Sequence, residues 1–432
     1  MREKQQLRFF DITMMVISLV IGMGIFRAPA TVAQRAGSEF IYYAAWITGG
    51  LIALCGAIGY AEIGKRMPVS GAYYSIFAKA YSPTLAFAIN IIILVSNAAS
   101  IAGVSIIGAE YVMPYAMGLS STVLASIFII LLYGLNLLGL RTSATVQNVL
   151  MGIKLLMLIA IISALGILPP SETVTFIQSH SGGMWESFGL ALIAVSFTYG
   201  GYQQTINFGG EVKNNERMLP RAIILGVMII IAIYLLANLA YVQVIGFNEL
   251  AQSKFIAAIM MERLFGGTAA LIVSMIIMIS VFGYVNVSML SNPRVVSAMG
   301  KDGVLPKIFA QSDETKGVSV SALTVFTAIS LISVYAGESF ERILNYTIFI
   351  DSIGLGVGMA TLYRLKGEKL SIMTHAVALI FIAACLFTGV NIFLFDTNAG
   401  IYGSMLFVGV MMFGYMVTKK KSKEVSQIIS EQ

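Results

Sequence analysis

The sequence predicts an all-α integral membrane protein with twelve transmembrane helices. Three observations carry this. The 432 residues are 58% hydrophobic and only 11% charged, with a mean hydropathy of +0.86, whereas a soluble domain carries about 25% charged residues. Apolar runs of about 20 residues or more recur along the chain, the length a helix needs to cross a hydrocarbon core of roughly 30 Å. The alternating segments of about 10 residues that mark a membrane β-barrel do not appear. Basic residues gather in alternate connections, as in a multi-pass protein.

Spans are expected at 9–35, 40–66, 83–114, 121–140, 143–168, 187–212, 220–246, 267–299, 317–336, 340–363, 370–394 and 399–418. The first is interrupted by Ile21-Gly22-Met23-Gly24-Ile25-Phe26. The second ends at Lys65 and Arg66, and the fifth follows Arg141. The sixth is interrupted by Tyr199-Gly200-Gly201-Tyr202-Gln203. The seventh follows Lys213 and Arg217, and the eighth ends beside Arg294 and Lys301. Lys316 precedes the ninth, Arg364 closes the tenth, Lys369 opens the eleventh, and Lys419, Lys420 and Lys421 close the twelfth. The other set of loops holds little more than Lys254 and Arg263. The positive-inside rule then puts both termini in the cytoplasm of a protein of the cell membrane. The basic tail, 419–432, is a stop-transfer flank with some attraction for anionic lipid. No cleaved signal peptide is expected, because the first apolar run leads into the glycine break without a cleavage site.

The whole chain, 1–432, is expected to be one membrane domain. Segment 67–82, with Tyr73, Tyr74, Phe77 and Tyr81, is expected to lie as a short amphipathic helix at the membrane interface. The outer segment 246–265 has helical spacing at Ile256, Ile259, Met260 and Leu264 and is expected to pack over a vestibule. Cys55 and Cys385 lie in apolar spans and read as packing residues; with His180 and His375 they make no metal set. No phosphate loop, dinucleotide fingerprint or nucleophile elbow is present. Nothing suggests nucleic acid, a cofactor, a metal, an enzyme or an obligatory protein partner.

A broken helix at mid-bilayer exposes N–H and C=O groups that lipid cannot satisfy, so it is tolerated only where it lines a cavity. Matching breaks in two halves point to a small-molecule carrier. Spans 1–5 (9–168) and 6–10 (187–363) each begin with one, and an odd number of spans reverses the orientation of the second half. This is a 5+5 inverted repeat, with spans 11 and 12 (370–418) accessory to it.

Four ordered motifs then mark a family resemblance. They are Val20-Ile21-Gly22-Met23-Gly24-Ile25-Phe26; Ala61-Glu62-Ile63-Gly64 followed by Pro68-Val69-Ser70-Gly71-Ala72-Tyr73; Val212-Lys213-Asn214 with Arg217 and Pro220; and Arg294 to Pro306. Across essentially its whole length the chain resembles the amino acid–polyamine–organocation superfamily, nearest to bacterial amino acid permeases and the L-amino-acid exchanger branch. It departs at Met23, where a small polar residue is usual. The resemblance implies amino acid transport by alternating access on the broken-helix fold.

An amino acid brings a carboxylate and an ammonium. The N–H groups of Met23, Gly24 and Ile25, at the start of a half-helix, suit the carboxylate. The carbonyls of Val20, Ile21, Phe197 and Gly200 suit the ammonium. Gly22 and Gly201 allow close approach of backbone, although a Gly-x-Gly pair also serves helix packing. By resemblance, Phe197 is an aromatic lid. Asn97, Ser100, Tyr202, Ser288 and Asn345 are side-chain selectors, and no carboxylate is expected in the pocket, which points to small or medium neutral substrates. Lys154 lies about ten residues, or roughly 15 Å of helix, from the start of its span, and an intramembrane lysine is a functional candidate. By resemblance it faces the first break in the place of a cation, reaching Ser288 or Ser291, which implies sodium independence. Gln203 stands where some proton-coupled relatives carry a glutamate. Glu110 is expected to pair with Arg27, and Glu62 and Glu211 with loop cations. Asp351 is either a proton carrier or a structural partner. The expected function is sodium-independent exchange of neutral amino acids, with a proton-coupled permease using Lys154 or Asp351 as the alternative, and a non-transporting amino acid receptor behind both.

Overall fold

The computed structural model describes residues 7–22, 24–113, 118–167, 183–212, 214–253, 255–267, 269–311, 317–336, 340–395 and 397–430. Met23 and the loop at 168–182 lie outside these residues, and no side chain is described at Asn345. Among the described residues there is no strand, only isolated bridges at Leu7–Val212 and Ser70–Phe208. The helices run in order: α1 Phe9–Val20, α2 Gly24–Ala36, α3 Glu39–Arg66, α4 Ala72–Ala80, α5 Pro83–Val112, α6 Ser121–Leu137, α7 Leu140–Ile167, α8 Met184–Tyr199, α9 Asn215–Ile245, α10 Phe247–Gln252, α11 Ile256–Phe265, α12 Ala269–Lys301, α13 Val320–Ala336, α14 Phe340–Ala360, α15 Ile372–Phe395 and α16 Thr397–Ser430. Serine side chains start several of them. Ser38 accepts from the Ile41 amide, Ser82 from Leu85 and Ser120 from Val123, each satisfying an N–H that the first helical turn cannot.

Six stretches are long and apolar enough to cross a membrane: Phe9–Ala36, Glu39–Arg66, Pro83–Val112, Thr142–Ile167, Asn215–Ile245 and Ile372–Leu394. Shorter apolar helices cover Ser121–Leu137, Val320–Ala336 and Gly400–Met416. Burial runs opposite to that of a water-soluble bundle. On α7, Val149, Leu156 and Ile159 face outward at 58%, 67% and 59% exposure, while Ser143, Gln147 and Lys154 are fully buried. Only an apolar solvent makes this arrangement favourable, and it obliges the inward polar groups to satisfy one another. They do so in amide clusters. Asn286 of α12 donates to the Ser143 carbonyl (3.0 Å) and to Gln147 (2.9 Å), and accepts from Asn136 of α6 (2.9 Å). Gln147 donates in turn to Ser18 of α1.

The end of the bundle rich in arginine is tied shut. Arg294 grips Glu211 with two bonds, of 2.9 and 3.0 Å, and lies over the Phe208 ring. The Leu7 amide donates to the Glu211 carbonyl (2.8 Å), and Arg66 pairs with Glu62 at 2.8 Å. Helix α4, expected as a short amphipathic helix, forms over Ala72–Ala80 and belongs to this closure. Tyr73, Tyr74 and Phe77 are buried, the Tyr73 amide donates to Asn207 (3.0 Å), and the Gly71 amide donates to the Asn207 carbonyl (3.0 Å). Its aromatic side chains meet protein on every side, so none is left for lipid. The tail expected from residue 419 continues α16 as helix to Ser430. Helix α11, at the outer segment, buries Ile256 and Met260 against the bundle, as its spacing predicts.

Backbone fit is tightest at Gly201, whose φ is +119°. A Cβ there would overlap the carbonyl oxygen of Leu19. Left-handed backbone costs an L-residue about 1–2 kcal/mol, and the collision is with main chain that cannot rotate away. Gly201→Ala is therefore expected to lower the melting temperature of the detergent-purified protein by roughly 2 °C or more. Gly134→Ala, at a helical site with open space around its Cβ, should hold or raise it. Equal melting temperatures for Gly201→Ala and the parent would remove the steric requirement.

Candidate functional site

Helix α1 ends in an inverse γ-turn. Ile21 sits at φ −74°, ψ 78°, and the Gly22 amide donates to the Val20 carbonyl at 2.7 Å. Helix α2 restarts at Gly24, and the N–H groups of its first turn have no acceptor within the helix. Helix α8 ends at Tyr199. After Gly200 and Gly201 the chain continues as tighter 3₁₀ turns, Tyr202–Asn207 and Gly209–Glu211. The two breaks cross in contact. Gly201 lies on the Leu19 carbonyl, and a Cβ at Gly24 would come to 2.9 Å from Cγ2 and 3.2 Å from Cα of Thr198.

Three side chains complete the broken backbone. The Tyr234 hydroxyl, from α9, lies 3.1 Å from the Val20 carbonyl and 3.3 Å from the Thr198 carbonyl. Its single proton is thereby shared between the ends of the two half-helices. The Lys154 ammonium, fully buried, donates to the Ile21 carbonyl. Gln203 accepts from the Gly201 amide at 2.9 Å. Lys154 does not reach Ser291, which instead accepts from Asn207 (3.3 Å) and donates to the Gln204 carbonyl (3.4 Å). What α12 presents to the lysine is Gly283, where a Cβ would lie 3.6 Å from Nζ.

A cavity of about 120 Å³ opens at the crossing, room for on the order of ten water-sized groups. Of the sequence-predicted residues, Val20, Gly22, Gly24, Asn97, Ser100, Phe197, Tyr199, Gly200, Gly201, Tyr202, Gln203 and Asp351 line it. Ile21, Ile25 and Ser288 do not; they are buried behind its wall, the carbonyl of Ile21 turned to Lys154 and Ser288 placed within α12. Lys154 stays in that outer layer as well. Asn97 is held in an amide cluster, donating to Asn292 (2.6 Å) and accepting from Gln204 (3.0 Å). Ser100 and Tyr284 share a bond of 2.9 Å.

Two expectations are corrected. A carboxylate does line the cavity: Asp351 of α14, which accepts from Ser96 at 2.6 Å. And α15 is more than accessory, since Phe381, Ala384, Cys385 and Thr388 form part of the wall. The other deep acid, Glu110, pairs with Arg27 at 3.6 Å as expected. Tyr234, Tyr284, Thr198 and the α15 residues were not singled out from sequence. Tyrosines and threonines are common in apolar helices, and only the fold shows which of them meet the breaks.

A buried cavity between two crossing helix breaks, walled by apolar membrane helices, defines a carrier of small molecules. The chain belongs to the amino acid permease family, whose sequence model matches residues 7–429. It is 30% identical to the large neutral amino acids transporter small subunit 2 of Homo sapiens over 373 residues, 82% of this chain and 68% of that one. It is 29% identical to the serine/threonine exchanger SteT of Bacillus subtilis, covering 82% and 83% of the two chains. With the cystine/glutamate transporter of Homo sapiens it shares 28% identity over 81% and 72%. It is thus a multi-pass membrane transporter of amino acids and not an enzyme.

The close packing of Gly24 on Thr198 generates a prediction. Gly24→Val puts two methyl groups beside the N–H groups of α2. A hydrogen bond to a charged group is worth about 1.5–3 kcal/mol, so its loss should weaken amino acid binding by more than tenfold, measured by scintillation proximity on protein that remains monodisperse. Parent-like affinity would remove the break from the binding site.

Proposed function

We propose that the chain is a sodium-independent secondary transporter that exchanges small or medium neutral L-amino acids by alternating access. The carrying observation is the lysine on the break: the Lys154 ammonium donates to the Ile21 carbonyl, within the layer directly behind the cavity. A fixed ammonium there supplies the positive charge that a bound cation would otherwise bring. The substrate carboxylate is assigned to the first N–H groups of α2, at the positive end of its dipole. The ammonium is assigned to the carbonyls that end α1 and α8, with Phe197 closing over the site.

The architecture proposed for this cycle has twelve spans. Helices α1 with α2, α3, α5, α6 and α7 form one repeat, and α8 with its 3₁₀ extension, α9, α12, α13 and α14 form an inverted second. Helices α15 and α16 follow, α15 adding to the cavity wall. The basic end, closed here by Arg294 and Glu211, is assigned to the cytoplasm, with both termini on that side of the cell membrane. The chain is proposed to work without an obligatory protein partner.

A second reading, proton-coupled uptake, is favoured by one observation: Asp351 lines the cavity, and no cation pairs with it among the described residues. Proteoliposomes separate the readings. Exchange predicts efflux of loaded labelled amino acid only when amino acid is present outside, unchanged when sodium is removed. Proton coupling predicts concentrative uptake under a pH gradient alone. Specific binding without flux would leave a receptor.

The lysine carries its own prediction. Lys154→Ala leaves the Ile21 carbonyl without its donor and loosens α1 from α7. Turnover should fall at least tenfold while substrate affinity changes less, read as a split between Vmax and KM in the same vesicles. Strict sodium dependence of the parent, or full turnover by Lys154→Ala, would overturn this account.

A further inference from the structure

We propose that Asp351, oriented by Ser96, is a side-chain subsite for amino acids whose short side chain ends in a hydrogen-bond donor. The proposal rests on the amino acid site described above and names the substrates that site prefers.

The acids that form ion pairs among the described residues are Glu62, Glu110, Glu211 and Glu249, each held by an arginine. Asp351 is not one of them; among the described residues it is held by a hydroxyl, the Ser96 Oγ at 2.6 Å from Oδ1. Burying a carboxyl within a membrane protein is costly unless its acceptor sites are filled. A carboxylate offers about four such sites, and Ser96 fills one. The group nevertheless lines a cavity, where the remaining acceptors meet whatever the cavity holds. Either protonation state of the carboxyl still accepts a hydrogen bond, so a donor on the ligand is satisfied in both.

The walls fix the length of that ligand. Ser100, one helical turn from Ser96 on α5, is bonded to Tyr284, and Tyr284 Cδ2 lies 3.2 Å from where a Cβ on Gly22 would stand. Asp351 is thus joined to the first break by a short polar wall of α5 and α12. The same cavity is lined by Leu355, one turn from Asp351 on α14, and by Phe381 and Ala384 of α15, apolar groups suited to methylene and methyl carbons. The space holds on the order of ten water-sized groups. Carboxylate, α-carbon and ammonium occupy about half, which leaves room for a short side chain of up to about five heavy atoms. A hydroxyl or an amine at its end answers Asp351, and the apolar wall takes the rest.

Two isosteric pairs test this: threonine against valine, and 2,4-diaminobutyrate against norvaline. Competition for a labelled amino acid is measured in proteoliposomes of the full chain, and each result is read as the ratio within a pair. The parent should favour at least one donor by about tenfold, the discrimination a hydrogen bond to a charged acceptor commonly gives. A preference confined to threonine identifies hydroxyl substrates within the neutral class proposed above, and one confined to diaminobutyrate, whose side chain is cationic, replaces that class by amines. In Asp351→Leu the favoured ratio should collapse toward one. Should that variant not fold, Asp351→Asn serves, because it keeps an acceptor and removes the charge. It should lower the diaminobutyrate ratio at least fivefold if amines are preferred, and Ser96→Ala should lower the threonine ratio at least threefold if hydroxyls are. Ratios near one in the parent, or ratios that survive all three substitutions, overturn the subsite. Valine and norvaline report the amino acid site itself. If they compete while the ratios are flat, only the subsite fails; if none of the four competes, the underlying reading fails with it.

Discussion

Unsatisfied backbone in the membrane core is the constraint on which the rest of this structure depends. Two helices are interrupted where no water is guaranteed, and each interruption frees amides and carbonyls that must find partners. The protein answers by crossing the two breaks against each other and surrounding them with fixed donors and acceptors. Tyr234 serves a carbonyl of each broken helix, Lys154 serves Ile21, and Gln203 serves Gly201. The first turn of α2 opens toward the cavity at Gly24. The polarity proposed for the site follows from this division: the carbonyls of Val20, Ile21 and Thr198 each have one protein donor, and their second lone pairs, with the amides at the positive end of a helix dipole, are left to a ligand.

The same constraint explains the amide clusters beside the cavity. Asn97, Gln204 and Asn292 join α5, the 3₁₀ segment and α12 through bonds of 2.6, 3.0 and 3.3 Å. Asn207 then links that segment to α4 and α12. Below it lies the pair of Arg294 and Glu211. Opening this end of the bundle means separating a bidentate ion pair, a cation–π contact and backbone bonds from Leu7 and Gly71 together. Such a closure is discrete: its bonds share Glu211, Phe208 and Asn207, so they are made or broken as a group.

Much of this was legible in the chain because membrane burial makes exceptions conspicuous. Glycine pairs in apolar runs marked both breaks, and a lone lysine in a run of leucine, isoleucine and methionine marked the support behind one of them. Arg27–Glu110 followed from charge position; Glu62 and Glu211, expected to meet loop cations, meet Arg66 at the end of α3 and Arg294 within α12. What stayed hidden depended on the direction a helix face takes after packing. Asp351 was visible as an acid, but whether it met a cation or a cavity was fixed by α5 and α15, far away in sequence. Helix α15 looked accessory because the repeat ends before it. At helix α4 the aromatic spacing is the same whether lipid or protein covers it. Tyr234 gave no signal at all, since a tyrosine becomes informative only when the carbonyls it serves have been placed.

The exchange proposed for this chain follows from the bonding assigned to the site. For an empty carrier to reorient, the N–H groups of α2 must cross the occluded state with only water as partner, and neutral water is a weaker acceptor for them than a carboxylate. A bound carboxylate and ammonium satisfy the break in that state and lower its cost. In the proposed cycle the Lys154 ammonium, bonded to the Ile21 carbonyl, stands in for a co-transported cation, and the substrate is the remaining variable. A carrier built this way moves fastest when loaded in both directions. The donor-bearing side chain assigned to Asp351 extends the same logic from the backbone to the cavity wall, because it fills acceptors that the protein leaves to its ligand.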